Sequence, residues 1–241
     1  LGAQLDNRGT LNVSHPLTLT TTSALHVNPG TLTLATGATV TFATGTLAWN
    51  GGSAGGGGTL AFSGATLNLG VGFSNAGIIL SPSNTTVSGP GTLTNATSKT
   101  LLLGTNTIAA PFVNQGIAVD NGAGSITGSL TTALGSTLRV EGNGSIGGAT
   151  LTVANGFTNH SVIELTSSNV GFTATLNVTT GTLVNETDGT IAALAGVGGA
   201  ARSLGAQLDN RGTLNVSHPL TINKTSALHV NTGTLTLATG A

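Results

Sequence analysis

Apolar and polar residues alternate one by one along most of the chain, in short runs that end at glycine, asparagine, proline or serine. A period of two residues is that of a β-strand with one buried face, and the turn-forming residues limit each strand to about three to five positions. No stretch combines a helical period with a capping residue. The chain is therefore predicted to be all-β. The pairs that we expect to point inward are Leu11 and Val13, Leu17 and Leu19, Leu25 and Val27, Leu32 and Leu34, Val40 and Phe42, and Leu47 and Trp49.

A loose element of an apolar residue, an Asn, a turn and another apolar pair recurs every 19 to 26 residues. A mean of about 22 to 23 residues is close to one turn of a β-solenoid. Stacked β-sandwich domains are the alternative, but a sandwich has no reason to restart the same element so regularly. The pattern predicts a parallel β-helix, or β-solenoid, of roughly triangular section. Examples of the element are LDNRGTLNV from Leu5, LHVNPGTLTL from Leu25, FSNAGIIL from Phe73, FVNQGIAV from Phe112 and LVNETDGTI from Leu183.

A longer repeat lies above this one, because the segment LGAQLDNRGTLNVSHPLT at Leu1 returns unchanged at Leu204. Residues 204–241 copy residues 1–38 with four differences. We therefore expect residues 1–203 to form one unit of about nine turns and residues 204–241 to begin the next unit of a continuous solenoid. Neither end shows a polar cap, so the coil is expected to continue in both directions. The differences are Leu19 to Ile222, Thr20 to Asn223, Thr21 to Lys224 and Pro29 to Thr232.

One asparagine occupies the same place in most segments, two residues after an apolar residue. In a coil such residues stack about 4.8 Å apart, close enough for each side-chain amide to donate to the next as a ladder. In two segments the Asn comes one residue later, at Asn28 and Asn50, and we expect the ladder to be interrupted there. The predicted structural ladder comprises Asn7, Asn75, Asn95, Asn114, Asn159, Asn185 and Asn210.

The carboxylates do not suggest catalysis, because an acid–base pair needs two such groups close together. Only Glu186 and Asp188 are neighbours, and they lie in the turn NETDGT, where we expect a solvated corner. A polysaccharide-active β-helix enzyme remains a lesser alternative, and it would require carboxylates from separate segments to converge in a groove. The acids in question are Asp120, Glu141 and Glu164.

No metal site or cofactor is predicted. The chain has no Cys, and His15 and His26 occupy different places in their segments, which disfavours a shared zinc site. The glycine run GGSAGGGG at 51–58 has no carboxylate for calcium, and it is predicted to form a flexible bulge outside the coil. A net charge of −1 disfavours nucleic acid as a partner. No apolar run reaches the length of about 18 residues that spans a membrane.

Two further surface features carry weaker hypotheses. Thr-x-Thr pairs are used by ice-binding solenoids, but here they fall in different places of the segments, so ice binding is only a lesser alternative. Several asparagines stand in Asn-x-Ser/Thr sequons and are possible N-glycosylation sites where they face outward. These are Asn12, Asn84, Asn177, Asn215 and Asn223.

Segments such as FSNAGIIL, FVNQGIAV and LVNETDGTI resemble the turns of right-handed β-helical surface proteins of microbes, including filamentous-haemagglutinin-like and autotransporter-passenger adhesins. The resemblance implies a right-handed parallel β-helix, secretion, a location at the cell surface or outside the cell, and a stalk or fibre role. The leading hypothesis is a non-catalytic filament, stalk or sheath whose partner is a further copy of itself, joined end to end covalently or by stacking, with possible lateral bundling. The alternative is an adhesin that binds a host or surface glycan through a lateral face.

Overall fold

The chain forms one long coil of β-strands. The computed structural model describes all residues, 1–241, and contains strands and turns but no helix. The coil makes about 11 turns, and the strands of successive turns pair in parallel. The prediction of an all-β parallel β-solenoid is therefore confirmed.

Thirty strands are numbered here along the chain. The first part of the coil contains β1 (Thr10–Val13), β2 (Leu17–Leu19), β3 (Leu25–Asn28), β4 (Thr31–Leu34), β5 (Thr39–Phe42), β6 (Thr46–Trp49), β7 (Ser53–Gly55), β8 (Thr59–Ser63), β9 (Thr66–Leu69), β10 (Phe73–Ser74), β11 (Ile79–Ser83) and β12 (Thr86–Ser88). The middle contains β13 (Leu93–Asn95), β14 (Thr100–Leu102), β15 (Thr107–Ile108), β16 (Phe112–Asn114), β17 (Ile117–Asp120), β18 (Ser125–Ile126), β19 (Leu130–Thr132), β20 (Thr137–Gly142), β21 (Ala149–Val153), β22 (Phe157–Asn159) and β23 (Val162–Ser167). The last part contains β24 (Ala174–Asn185), β25 (Thr190–Ala193), β26 (Arg202–Asn210), β27 (Thr213–Val216), β28 (Leu220–Ile222), β29 (Val230–Asn231) and β30 (Thr234–Leu237).

These strands stack into three faces, which the chain visits in the order A, B, C in each turn. Face A comprises β1, β4, β7, β10, β13, β16, β19, β22, the C-terminal parts of β24 and β26, and β29. Face B comprises β2, β5, β8, β11, β14, β17, β20, β23, β25, β27 and β30. Face C comprises β3, β6, β9, β12, β15, β18, β21, the N-terminal parts of β24 and β26, and β28.

The backbone ladder is continuous on face C but is interrupted once on each of the other faces, between β7 and β10 and between β11 and β14. Pro82 in β11 has no N–H to donate. The side chain of Asn106 bridges this gap: its Nδ2 donates to Pro82 O over 3.1 Å, and its Oδ1 accepts from Thr85 N over 2.8 Å. A side-chain amide thus replaces part of the missing backbone pairing.

A single hydrophobic core of 46 buried residues runs along the coil from Val13 to Val216. Most strands from β1 to β27 contribute every second side chain, and equivalent side chains of successive turns lie against one another. Phe42 of β5 and Phe62 of β8 stack with ring centroids 5.4 Å apart. Stacking of this kind excludes water along the whole axis and makes each turn depend on its neighbours.

Strand β3 faces the opposite way from the prediction. Leu25 is 51% exposed, whereas His26 and Asn28 are buried. Two hydrogen bonds inside the coil account for this orientation. Nδ1 of His26 accepts from Leu5 N over 3.1 Å, and the side-chain amide of Asn28 accepts from that of Asn7. The prediction that Leu25 and Val27 point inward is therefore wrong, because a buried amide pair outweighs the exposure of one leucine.

The glycine run 51–58 is not a flexible bulge, so that prediction is also wrong. Its residues Ser53–Gly55 form β7 on face A, and Gly52, Gly56 and Gly58 pack directly on the backbone of the turn below. A Cβ at Gly52 would collide with Gly30 O, and one at Gly58 would collide with Ala35 O and Ala38 O. Gly52 also has φ +74°, which favours glycine. The run is needed where two backbones approach too closely for a side chain.

Candidate functional site

A column of asparagine side chains lies along the corner between faces A and B, from the fourth turn onward. Except for Asn114, each asparagine of the column from Asn75 to Asn210 donates one amide N–H to Oδ1 of the equivalent residue in the next turn, and all members over this range are at most 1% exposed. The structure therefore contains the side-chain ladder that a coil of this sequence allows. The bonds run from Asn75 to Asn95 (2.9 Å), Asn95 to Asn114 (2.8 Å), Asn159 to Asn185 (2.8 Å), Asn185 to Asn210 (2.7 Å) and Asn210 to Asn231 (2.6 Å).

In Asn95, Asn185 and Asn210 the side-chain amide also donates to the backbone of the next turn. Asn95 donates to Ile117 O over 3.0 Å, and Asn185 donates to Thr213 O over 3.1 Å. Both acceptors begin the face B strand of the next turn. Because these three amides use both hydrogens inside the coil, they hold one turn to the next and have no hydrogen left to donate to a ligand.

A shorter ladder lies at a different corner, between faces C and A. Nδ2 of Asn7 donates to Asn28 Oδ1 over 2.6 Å. The predicted interruption at Asn28 is therefore wrong. The column ends one turn later, where Trp49 pairs with Asn28 in register and packs edge-on against Phe73 at 4.9 Å. Asn50 lies outside the column and is exposed.

Two members of the long ladder were missed by the sequence interpretation. Thr132 pairs in register with both Asn114 and Asn159, and its hydroxyl donates to Asn159 Oδ1 over 3.1 Å. Asn114 donates instead to Thr137 O over 2.8 Å, so the amide chain is broken at this turn. Asn231 accepts from Asn210, and its segment repeats that of Asn28, which was the signal that could have found it.

Glycine two positions after a ladder asparagine has a packing role. A Cβ at Gly212 would collide with Glu186 O and Gly189 O of the turn below, and one at Gly116 would collide with Lys99 O and Ala96 O. Neither glycine adopts a left-handed backbone conformation with positive φ. They are required because the corner of one turn lies directly on the backbone of the previous turn.

The acidic turn NETDGT does not contain an acid–base pair. Asp188 bonds to Nδ1 of His160 over 3.0 Å, whereas Glu186 forms an ion pair with Arg211 over 2.9 Å. Asp209 shares the same guanidinium over 2.7 Å and, as the largest cause, raises the pKa of Arg211. Glu186 and Asp188 thus bond to different residues at a solvated corner, where such pairs contribute little.

Asp120, Glu141 and Glu164 do not meet in a groove. Glu164 and Glu141 lie on the outer side of face B and contact Arg139 at 2.6 and 3.7 Å. Asp120 points into the coil and is fully buried, and its Oδ1 accepts from Gly124 N over 2.9 Å. Its Oδ2 has no partner, and burial raises its pKa to about 6.

The histidines do not form a metal site together. His15 lies at the surface beside Ser14, whereas His26 is buried against Phe42, with ring centroids 5.2 Å apart. Burial lowers the pKa of His26, which favours the neutral ring. No group of three or more His, Asp or Glu side chains that could hold a metal ion is present.

One of the four differences between the copies has a structural explanation. Nζ of Lys224 donates to Val178 O and Thr179 O, over 2.9 and 2.6 Å. The ladder between β24 and β26 shifts register between Asn177 and Thr182, so carbonyls in this stretch lack backbone partners on the next strand. Lysine at this position stabilises an irregular turn two levels below it.

The possible N-glycosylation sites lie on outer positions. Asn12, Asn84 and Asn223 are exposed, and Asn177 and Asn215 are half-buried with side chains on the outer side of their strands.

No family model matches the chain, and neither a curated protein nor a solved structure matches it. The structure includes no helix with the length and apolar character of a membrane span.

Proposed function

We propose that this protein is a structural component of an extracellular filament, stalk or sheath built from tandem 203-residue β-solenoid units, and that it has no catalytic role. The observation that carries the proposal is strand β26, Arg202–Asn210, which crosses from one unit to the next without a break. The side chain of Arg202 is fully buried at this seam and donates to Leu194 O and Ala195 O over 2.9 and 2.8 Å. One unit therefore joins the next through an ordinary turn of the coil.

Near-identical units suit a protein that forms a long filament of adjustable length. Both copies make the same local contacts: Leu5 N donates to His26 Nδ1 over 3.1 Å, and Leu208 N donates to His229 Nδ1 over 3.3 Å. Units can then be added or lost without new interfaces. At about 4.8 Å per turn, a unit of about nine turns advances the coil by roughly 40 to 45 Å. The resemblance to filamentous-haemagglutinin-like and autotransporter-passenger proteins supports secretion and a surface location.

Electron microscopy tests this proposal directly. Chains of two, four and six units, each made by repeating residues 1–203 and ending with residues 204–241, should appear as thin rods. Their length should grow by roughly 40 to 45 Å per added unit. Globular particles, or strings of separate beads, would contradict a continuous coil.

Adhesion through a lateral face is the second candidate function. The observation that favours it is a straight row of hydroxyl side chains on the outer side of face C, paired in register over successive turns. Such a row would offer regularly spaced donors and acceptors to sugar hydroxyls. Binding on a glycan array that is lost in the variant Thr66→Val/Thr86→Val would support it, and an array without binding would exclude it. The row comprises Thr46, Thr66, Thr86, Thr107 and Ser125.

A further inference from the structure

The two copies of the 38-residue stretch lie on different faces of the coil. TLNV forms β1 on face A in the first copy but β27 on face B in the second copy. The next strand, LTL or LTI, forms β2 on face B and β28 on face C. The strand after that forms β3 on face C and β29 on face A. Every strand of the second copy is therefore displaced by one face.

Face C gives the size of this displacement, because its ladder is continuous. Nine successive pairings connect β3 to β28 on this face. The repeat copy of β3 is not β28 but the following strand, β29. One unit thus takes nine turns and one further strand, or nine and one-third turns.

The asparagine ladders show the same displacement independently. Asn7 donates to Asn28 at the corner between faces C and A, whereas their copies Asn210 and Asn231 bond at the corner between faces A and B. Both bonds measure 2.6 Å. The local structure is preserved while its position around the axis changes. Between the two ladders Trp49 takes the place of an asparagine at the first corner, and the column resumes at the second corner with Asn75.

We propose that successive units of the filament are rotated by one face, so that three units complete 28 turns and return to the starting orientation. This inference rests on the proposed function, since it requires tandem units. At about 4.8 Å per turn, the true axial repeat is roughly 134 Å, three times the advance of one unit. An outward residue such as Asn12 on face A reappears as Asn215 on face B and, in a third unit, on face C.

The rotation determines how filaments meet one another. If a unit filled a whole number of turns, each outward residue would lie along one side, and contacts between filaments would favour a flat ribbon. With one face of rotation per unit, the same surface is presented on all three sides. The partner that fits this arrangement is a further copy of the filament on each side, which gives a three-dimensional bundle.

The test uses a chain of six units in which every copy of Asn12 is changed to Cys and labelled with a gold particle. Asn12 is exposed and its side chain makes no hydrogen bond in the structure, and the wild-type chain has no Cys. In electron tomography, successive particles should lie roughly 45 Å apart along the rod and wind around it, so that the fourth lies over the first. A control rod with Thr46→Cys and Thr152→Cys, which are joined by five pairings on face C, measures the twist of the coil itself.

The outcomes separate the two proposals. Particles that follow one side of the rod, after correction for the control, overturn the rotation and leave the filament intact. Particles that wind with a three-unit repeat support the rotation. Failure of the unlabelled six-unit chain to form rods overturns both proposals. If the labelled chain does not fold, cryo-electron images of the unlabelled rod give the same answer. Layer lines that index on a repeat of roughly 134 Å support the rotation, and layer lines that index on roughly 45 Å contradict it.

Discussion

The side-chain amide of Asn185 donates a hydrogen bond to Oδ1 of Asn210 over 2.7 Å, and both residues are fully buried. Asn185 also accepts from Asn159 over 2.8 Å, so three successive turns share one chain of amides. A buried amide that loses one neighbour leaves the other neighbour without a partner, and the cost of such a group exceeds the net contribution of one hydrogen bond. The ladder is therefore expected to matter more to stability than any outer polar residue.

Replacement of Asn185 tests this expectation. Asn185→Ala removes the bonds to Asn159, Asn210 and Thr213, and should lower the free energy of unfolding by about 2 to 4 kcal/mol. The matched control is Asn177→Ala on the same strand, whose side chain lies on the outer side and should change stability by less than about 0.5 kcal/mol. Urea unfolding followed by far-ultraviolet circular dichroism gives both values. Equal effects of the two substitutions would contradict a stabilising role of the ladder.

Gly212 and Gly9 provide a test of turn stacking, because they occupy the same place in the two copies of NRGT. A Cβ at Gly212 would collide with the backbone of the turn below, whereas Gly9 lies in the first turn of residues 1–241, and no atom lies within 4 Å of a Cβ there. Gly212→Ala should therefore lower the free energy of unfolding by about 2 kcal/mol or more, and the midpoint of thermal unfolding should fall with it. Gly9→Ala should change both values little. Circular dichroism during heating measures both. Similar losses in both variants would indicate that the glycines act through local conformation instead.

The alternation of apolar and polar residues was sufficient to predict the solenoid, because each turn of the coil repeats the same burial problem. It was insufficient for β3, where His26 and Asn28 are buried in place of Leu25 and Val27. Single-residue polarity does not show that two amides in different turns will meet. The same limitation explains the glycine run, since close contact between Gly52 and the backbone of Gly30 is visible only once the turns are stacked.

The ladder could be predicted in part, and its exceptions have a geometric cause. The spacing between segments varies from 19 to 26 residues, so the corner that an asparagine occupies depends on the sum of all preceding turn lengths. The sequence therefore indicated that asparagines stack but not that Thr132 stands among them, or that the column changes corner after Asn28. The displacement of the second copy by one face follows from the same accumulated lengths.

Thr132 is a place where the ladder can be completed. Its neighbours in register are Asn114 and Asn159. The side-chain amide of Asn114 donates to the backbone at Thr137 O and makes no hydrogen bond to Thr132. Thr132→Asn should let Asn114 donate upward and should raise the free energy of unfolding by about 1 kcal/mol. Thr131→Asn, on the exposed side of the same strand, is the control and should be neutral. Urea unfolding measures the difference, and a loss of stability at position 132 would show that the longer turn after it has no room for the amide.

Asp120 should make the stability of the coil depend on pH. Burial raises its folded pKa from the ordinary value of 3.8 to about 6, so the folded state holds the proton more tightly than the unfolded state does. The contribution is therefore fully present below about pH 3.8, declines as the pH rises through this window, and is lost above about pH 6. The decline should amount to a few kcal/mol.

Asp120→Asn isolates this effect, because the amide oxygen keeps an acceptor for Gly124 N but has no proton to lose. The difference in unfolding free energy between the variant and the wild type should be small near pH 4 and should favour the variant by roughly 2 to 3 kcal/mol at pH 7. Thr131→Asn, which changes an exposed side chain that does not ionise, is the control and should keep the pH dependence of the wild type. Urea titrations at half-unit steps between pH 3.5 and 7.5 measure the three curves. Parallel curves for Asp120→Asn and the wild type would mean that the buried carboxylate is ionised in the folded coil without penalty, and that an unseen partner stabilises its free Oδ2.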